Sequence, residues 1–310
     1  MISFEHVTKT YEGRTAVDDV SMVVQSGEFC AFVGPSGAGK STLLRLVNCL
    51  IKPDSGTIEY DGDDVTKLDP VVLRRRFGYV IQSVGLFPHW TVAKNIATVP
   101  RLLGWPRKKI DDRVEELLLL VDLAPSEFRD RYPRQLSGGQ QQRVGVARAL
   151  AADPYCLLMD EPFGALDAVT RHALQGELAR IQKKTGKTVL LVTHDVDEAI
   201  RLATRIAVMA NGRLVQYATP EEILAAPADP FVASLFGGEA ASLRLLKVRR
   251  VGDWAVADGA PPAQSIGPDE TLENALARML GSGLDALAVS DPGGGPKRVI
   301  RLDDLVRRTR

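Results

Sequence analysis

The sequence has no excess charge of either sign and no long hydrophobic run. Its 39 basic side chains balance 39 acidic ones, so the chain as a whole presents no basic field to nucleic acid or to an anionic membrane. The uncharged apolar run at 117–121 is far shorter than the roughly 18 residues that a membrane-spanning helix requires. We therefore expect a chain that does not cross a bilayer by itself and that binds any polyanion at a local site.

Cysteine is also scarce, and the N-terminus does not resemble a secretory signal. Cys30, Cys49 and Cys156 occur in apolar surroundings without a C-x-x-C pair, which favours buried thiols over a zinc site or a disulfide. Residues 1–6 include an early acid, Glu5, and no basic leader, so we expect a cytosolic protein. The composition, 45% hydrophobic and 25% charged, excludes a disordered chain.

What the sequence does contain is a series of short apolar runs, each followed by a helical pattern. The runs at 29–33, 156–159 and 188–192 end in glycine or in polar residues. Buried strands that alternate with helices indicate an α/β fold with a parallel sheet, whose chemistry lies at the carboxyl ends of the strands. The turn dipeptides Asp61–Gly62 and Asn211–Gly212 predict antiparallel hairpins at its margins.

A glycine-rich loop after the first of these runs fits the phosphate-binding pattern G-x-x-x-x-G-K-[ST]. Its residues are Gly34, Pro35, Ser36, Gly37, Ala38, Gly39, Lys40, Ser41 and Thr42. In this pattern backbone N–H groups surround phosphate oxygens at a helix N-terminus, Lys40 reaches the β- and γ-phosphates of ATP, and Ser41 reaches Mg²⁺. Asp160 ends a later strand and is the candidate metal carboxylate, while Glu161 beside it is the candidate general base.

A second motif points to one family of these nucleotide-binding proteins. Ser137, Gly138, Gly139 and Gln140 follow Leu136 and precede the run 141–150. Together they resemble the signature of ABC-type ATPases, and the resemblance covers residues 1 to about 236. The alternative is a glycine-rich turn before an ordinary amphipathic helix.

The resemblance implies roles for further residues. Tyr11 corresponds to an aromatic that stacks on adenine, although a partly buried packing tyrosine is the alternative. Gln82 corresponds to the glutamine that contacts Mg²⁺ or the attacking water, and 165–167 to a loop that crosses to the other protomer. His194 corresponds to a histidine that touches the γ-phosphate, with a structural strand-end histidine as the alternative. The implied catalytic set is Glu161, His194, Gln82 and Lys40, and the implied metal set is Ser41, Gln82 and Asp160.

The resemblance also implies partners. In this family residues 137–140 face the phosphate loop of the opposite subunit, so we expect a homodimer or a pair with a paralogue. The stretch 88–135, where apolar residues follow a helical spacing, corresponds to the helical subdomain that contacts a membrane permease. The expected location is peripheral, on the cytoplasmic face of the inner or plasma membrane, with a solute-binding protein as an indirect partner and no nucleic-acid partner.

Several stretches most resemble the ATP-binding subunits of importers for glycine betaine, carnitine, choline or proline. They are 51–58, 69–82, 85–89 and 102–105. An importer of another solute, such as a polyamine or an amino acid, stays open, as does a soluble ABC ATPase acting on ribosomes or DNA. An ABC-like regulator that binds ATP without turnover would lack Glu161 or His194, and both are present.

The C-terminal part resembles a regulatory module. We expect an ATPase domain over 1–236, a linker over 237–259, and a β-α-β-β-α unit similar to a single CBS motif over 260–310. Adenosine-binding copies of that motif carry a hydroxyl residue where this sequence has Arg301, which argues against nucleotide binding by the tail. If the tail acts as in the related ATPases, it restrains transport until the ionic strength rises.

Overall fold

The computed structural model describes residues 1–81, 85–164, 166–238, 241–257, 262–290 and 298–307. The chain divides into two compact units, Met1–Tyr217 and Ala218–Arg310. The predicted end of the ATPase domain at residue 236 lies beyond this division and stays a prediction. Within the described residues no helix is long and apolar enough to span a membrane.

The described residues of the first unit form two β-sheets. Its strands are β1 (Ile2–Tyr11), β2 (Arg14–Val24), β3 (Phe29–Val33), β4 (Ser55–Tyr60), β5 (Asp63–Asp64), β6 (Phe77–Val80), β7 (Cys156–Asp160), β8 (Thr188–Val192), β9 (Arg205–Ala210) and β10 (Arg213–Ala218). One sheet has the order β2-β1-β4-β5 and is antiparallel. The other has the order β10-β9-β3-β8-β7-β6, and its strands from β9 to β6 are parallel.

The helices of the first unit lie between β3 and β9 along the chain. They are α1 (Lys40–Val47), α2 (Pro70–Arg75), α3 (Val92–Ile96), α4 (Thr98–Leu102), α5 (Arg107–Leu120), α6 (Pro125–Phe128), α7 (Gly138–Leu150), α8 (Ala168–Thr185) and α9 (Val196–Leu202). Residues 88–135, where the sequence indicates a helical insertion, contain α3 to α6 and a 3₁₀ turn at Pro133–Gln135.

The parallel strands are apolar along their whole length because both faces of the sheet are covered. Every residue of β3, β7 and β8 is buried, as is typical of parallel sheets with layers on both sides. One core cluster packs α1 and the antiparallel sheet against one face, and a second packs α3, α5, α7 and α8 against the other. Cys30, Cys49 and Cys156 are free and buried, so the prediction of core thiols is confirmed.

The predicted hairpins are also present. β4 and β5 pair in antiparallel register around Asp61 and Gly62, and β9 and β10 are neighbours joined by Asn211 and Gly212. Both turn residues have positive φ in each case, which is the backbone that a two-residue hairpin loop requires and that Asn, Asp and Gly adopt readily.

The second unit is mixed α/β with its own core. Its elements are α10 (Pro220–Ala225), α11 (Pro230–Leu235), α12 (Ala241–Val248), α13 (Val251–Trp254), β11 (Val256–Ala257), β12 (Ser265–Ile266), α14 (Leu272–Ser282), β13 (Ala286–Val289), β14 (Arg298–Arg301) and α15 (Leu302–Arg307). The strands form one sheet, β11-β14-β13-β12. The order from β12 to α15 is the β-α-β-β-α order that the sequence predicts, and assignment of this unit to the CBS family stays a prediction.

Candidate active site

The strand order places three loops side by side at the carboxyl edge of the parallel sheet. β8 lies between β3 and β7, and Val192 of β8 pairs with Phe32 on one side and with Asp160 on the other. The loops that leave these strands therefore start from one row of residues. They carry the glycine-rich loop after β3, Glu161 after β7 and His194 after β8.

The glycine-rich loop wraps around the N-terminus of α1. Gly39 caps the helix with φ 95°, and a Cβ at this position would lie 2.2 Å from the carbonyl oxygen of Ala16, so no larger residue fits. The Nζ of Lys40 donates hydrogen bonds to the carbonyl oxygens of Gly34 at 2.7 Å and Pro35 at 2.9 Å. The lysine thus closes the loop on itself.

Lys40 is a buried cation. Its residue exposure is 6%, and burial lowers its pKa because desolvation disfavours the charged form. The carboxyl groups of Glu161 and Asp160 oppose this shift and favour the ammonium. The two carboxyl groups thereby support the positive charge at the place where the motif requires it.

Ser41 and Asp160 lie close together at the mouth of the same loop. The Oγ of Ser41 donates a hydrogen bond to Oδ1 of Asp160 at 2.7 Å, over 119 residues of sequence. The other carboxylate oxygen, Oδ2, lies 3.7 Å from Nη2 of Arg45. A hydroxyl and a carboxylate held side by side are hard oxygen donors of the kind that Mg²⁺ prefers.

Glu161 has a strained backbone and contacts His194. Its φ is 46°, a left-handed conformation that is uncommon outside glycine and is typical of functional positions. Its N–H donates to the carbonyl oxygen of Val192 at 2.9 Å, which fixes the turn. Its Oε2 lies 3.3 Å from Nδ1 of His194, whose side chain is 62% exposed.

A cavity of about 390 Å³ lies at the glycine-rich loop. It is lined by Tyr11, Arg14, Ala16, Ser36, Gly37, Ala38, Gly39, Lys40, Ser41, Thr42 and Glu161. Tyr11 is 44% exposed, so a ring face is accessible for stacking. The structure therefore brings the predicted aromatic, the phosphate loop and the candidate base to one cavity.

The signature residues do not line this cavity. Ser137 is the N-cap of α7, its Oγ accepts from the N–H of Gln140 at 3.3 Å, and the Gln140 side chain accepts from the N–H of Ser137 at 3.0 Å. Ser137 and Gly138 are exposed. Gly139 is buried, and a Cβ there would lie 2.3 Å from Cγ2 of Thr170 on α8. Gln82 and Ala165 lie outside the described residues, so their predicted roles stay predictions.

Sequence reasoning missed three arginines of this region. Arg14 lines the cavity, Arg45 faces Asp160, and Arg171 contacts the loops that hold Leu166 and Asp195. Only Arg45 carried a usable signal, because it lies four residues after Ser41 and so shares a helix face with it.

Comparison with known proteins agrees with this geometry. Residues 17–164 match the family model described as ABC transporter. The chain is 49% identical to the glycine betaine uptake system ATP-binding protein YehX of Escherichia coli strain K12, over 99% of each chain. The chain belongs to the family of ABC transporter ATP-binding subunits. The predicted fold, an ABC-type P-loop nucleotide-binding domain of mixed α/β structure, and the predicted ATPase class are therefore confirmed.

Two further ABC proteins show how much of the chain is similar to known proteins. The carnitine transport ATP-binding protein OpuCA of Listeria monocytogenes serotype 1/2a is 49% identical over all of this chain and 77% of its own length. A solved dimer of the ATP-binding cassette MJ0796, in a post-hydrolysis state bound to ADP and Pi, is 35% identical with a TM-score of 0.63. That structure covers 71% of this chain. The ABC cassette thus accounts for most of the chain, and the two transport subunits match the remainder as well.

Proposed function

We propose that this ABC subunit hydrolyses ATP to power the import of quaternary-amine osmoprotectants such as glycine betaine, carnitine or choline. The observation that carries the proposal is the coverage of the relatives. The subunits named for glycine betaine uptake and carnitine transport match 99% and 100% of the chain, whereas the isolated cassette matches 71%. The similarity to these transport subunits therefore extends beyond the ATPase machinery that all ABC proteins share.

In this proposal the cavity at the sheet edge binds MgATP. Tyr11 stacks on the adenine, the loop 34–42 surrounds the phosphates, and Lys40 exchanges the carbonyls of Gly34 and Pro35 for phosphate oxygens. Ser41 and Asp160 would hold Mg²⁺, together with Gln82, and the ion would neutralise phosphate charge. The 2.7 Å hydrogen bond from Ser41 to Asp160 supports this, because it holds a hydroxyl oxygen and a carboxylate oxygen side by side.

Glu161 orients and deprotonates the water that attacks the γ-phosphate. Its carboxylate stands next to the metal carboxylate in sequence, and its backbone turn aims the side chain at the cavity that it lines. His194 holds the base and contacts the γ-phosphate, and the 3.3 Å distance between its Nδ1 and that carboxylate supports the first of these roles. Phosphoryl transfer needs such positioning and charge stabilisation more than covalent help.

The active form is a dimer. Ser137, Gly138, Gly139 and Gln140 lie outside the cavity and at an exposed helix N-terminus, where a second chain can present its bound nucleotide. The donors at that terminus would then complete the charge stabilisation in trans. The helical region 88–135 contacts the permease at the cytoplasmic face of the membrane, and the solute-binding protein acts through that permease.

The proposed solute is tested by transport. The chain is expressed with a candidate permease and a candidate solute-binding protein, in cells that lack other glycine betaine uptake, and labelled solutes are offered in turn. We expect uptake of glycine betaine, carnitine or choline. Uptake of spermidine or an amino acid instead would contradict the proposed solute and leave the ATPase assignment standing.

The catalytic assignment is tested with Glu161→Gln. This change keeps the shape of the side chain and removes the base, so we expect normal ATP binding with turnover reduced about 10²- to 10⁴-fold and an accumulated closed dimer. Turnover is measured by phosphate release and the dimer by gel filtration with ATP. Glu177→Gln, on α8 and outside the lining of the nucleotide cavity, is the matched control, and near-normal turnover in Glu161→Gln would remove Glu161 from this role.

A further inference from the structure

Arg171, in the first turn of α8, contacts two loops of the site at once. Its Nη2 donates a hydrogen bond to the carbonyl oxygen of Leu166 at 2.9 Å, and its Nη1 lies 3.7 Å from Oδ2 of Asp195. Its Nε is buried without a partner among the described residues. The guanidinium is therefore held between two segments that follow different strands.

The first segment leads from Glu161 into α8. Leu166 precedes Asp167, which caps α8 by accepting a hydrogen bond from the N–H of Thr170 at 3.0 Å. Beyond the contact from Arg171, the N–H of Leu166 donates to the carbonyl oxygen of Phe163 at 3.1 Å. The backbone at 166 is thus bonded both toward Glu161 and toward α8.

The second segment carries His194. Asp195 follows this histidine and uses Oδ1 to accept from the N–H of Glu198 at 3.1 Å, which caps α9. Its own N–H donates to Oγ1 of Thr193 at 3.0 Å. Thr193 and Asp195, the residues on either side of His194, are therefore linked by a hydrogen bond. The position of Asp195 thus determines the position of the His194 backbone.

We propose that Arg171 is a positioning residue that couples the segment at 166–167 to His194 and so to Glu161. A small cavity is lined by Arg171, His194 and Glu161 together, so a displacement of Leu166 is passed across it by the guanidinium. The planar fork of arginine suits this role because it donates in two directions at a fixed angle, which a lysine cannot do. The inference rests on the proposed hydrolysis at Glu161.

The test is Arg171→Ala in the full-length chain. We expect kcat for ATP hydrolysis to fall roughly 10- to 100-fold, because small displacements of catalytic groups have effects of this size. The KM for ATP and the ATP affinity stay within about twofold, because Arg171 does not line the nucleotide cavity. Millimolar guanidinium ion restores part of kcat, and Arg171→Lys does not reach wild-type turnover.

Arg180→Ala provides the matched control. Arg180 lies on the same helix, donates to the carbonyl oxygen of Leu120 at 3.0 Å and pairs with Glu177, so it repeats the contact chemistry away from the site. We expect its kcat to match that of the wild type and to be insensitive to guanidinium. An equal loss of kcat in both variants, or no rescue of Arg171→Ala, would overturn the inference.

A double-mutant cycle with Asp195→Asn separates coupling from general damage. Asparagine keeps the helix cap and removes the ion pair, so the double variant should lose no more kcat than the worse single variant. Multiplying losses would overturn the inference. If Glu161→Gln is inactive while Arg171→Ala is fully active, the inference about Arg171 is wrong and the proposed function still stands. The proposed function itself is contradicted only by uptake of a different solute.

Discussion

At the scale of single residues, the glycine-rich loop binds its own lysine. The Nζ of Lys40 donates hydrogen bonds to the carbonyl oxygens of Gly34 and Pro35, and a bound nucleotide would replace these acceptors with phosphate oxygens. Binding therefore exchanges carbonyl partners for charged ones, which form stronger hydrogen bonds. We therefore expect a change at Lys40 to lower nucleotide affinity more directly than turnover.

Lys40→Ala should weaken ATP binding itself. Hydrogen bonds to charged groups contribute about 1.5–3 kcal/mol, which is roughly 10- to 150-fold in Kd. Isothermal titration calorimetry of the full-length chain measures this directly. Lys67→Ala is the control, because Lys67 is an exposed lysine paired with Asp64 and its loss should leave Kd unchanged. Equal affinities for wild type and Lys40→Ala would show that the lysine does not contact the phosphates.

The residues whose positions in the fold could be predicted from the sequence are those with a local signal. The glycine-rich loop and Asp160 with Glu161 follow apolar strand patterns, so their chemistry and their edge of the sheet could be inferred together. Arg14 and Arg171 could not be found in this way, since the cavity that Arg14 lines and the contact of Arg171 with Asp195 depend on how separate segments pack. A hydrogen bond from a guanidinium to a backbone carbonyl oxygen has no sequence motif, because every residue carries such an oxygen.

At the scale of elements, the strands and their direction were predictable but their order was not. Apolar runs ending in polar residues identify β3, β7 and β8, whereas nothing in those runs states that β8 lies between the other two. The strand order determines which loops meet at the site, because Val192 of β8 pairs with Phe32 of β3 on one side and with Asp160 of β7 on the other. Which strands pair depends on the packing of the whole sheet and of the helices that cover it, so it cannot be inferred from one apolar run.

The signature helix α7 supports a test of the dimer. Its capping box is complete within the chain, so Ser137→Arg costs about 1 kcal/mol of cap stability while leaving the nucleotide cavity intact. We expect normal ATP binding and abolished hydrolysis, because the arginine blocks the nucleotide held by the opposite chain. Phosphate release by equal mixtures measures the composite site.

Mixing Ser137→Arg with Lys40→Ala should restore activity that neither variant has alone. Each mixed dimer joins the intact loop of one chain to the intact signature of the other. A mixture as inactive as its parents, or a Ser137→Arg variant with wild-type turnover, would rule out a site shared between two chains. A mixture of Ser137→Arg with Glu161→Gln serves as a second combination of the same logic.

At the scale of the whole molecule, the second unit begins before the predicted linker. Glu221 of α10 pairs with Arg249 after α12 at 2.8 Å, and Arg250 donates to the carbonyl oxygen of Asp269 at 3.0 Å. These two arginines belong to the basic run 247–250, and their side chains bond within the second unit.

Removing residues 237–310 tests the control role of that unit. All residues of the nucleotide cavity precede residue 218, so the shortened chain should keep its ATP affinity, with a lower thermal midpoint because α10 loses α12. In reconstituted vesicles we expect transport to lose its activation by salt, measured while screening shortens from about 10 Å at 0.1 M toward 3 Å at 1 M. An unchanged salt profile would reduce the unit to a stabilising or tethering part.

The exposed position of Ser137, apart from the cavity of its own chain, has a genetic consequence. If each chain supplies half of two sites, a subunit with an intact phosphate loop and a damaged signature still enters dimers and spoils the nucleotide held by a normal partner. Such an allele would be partly dominant in cells that express both, because each mixed dimer keeps only one of its two sites intact.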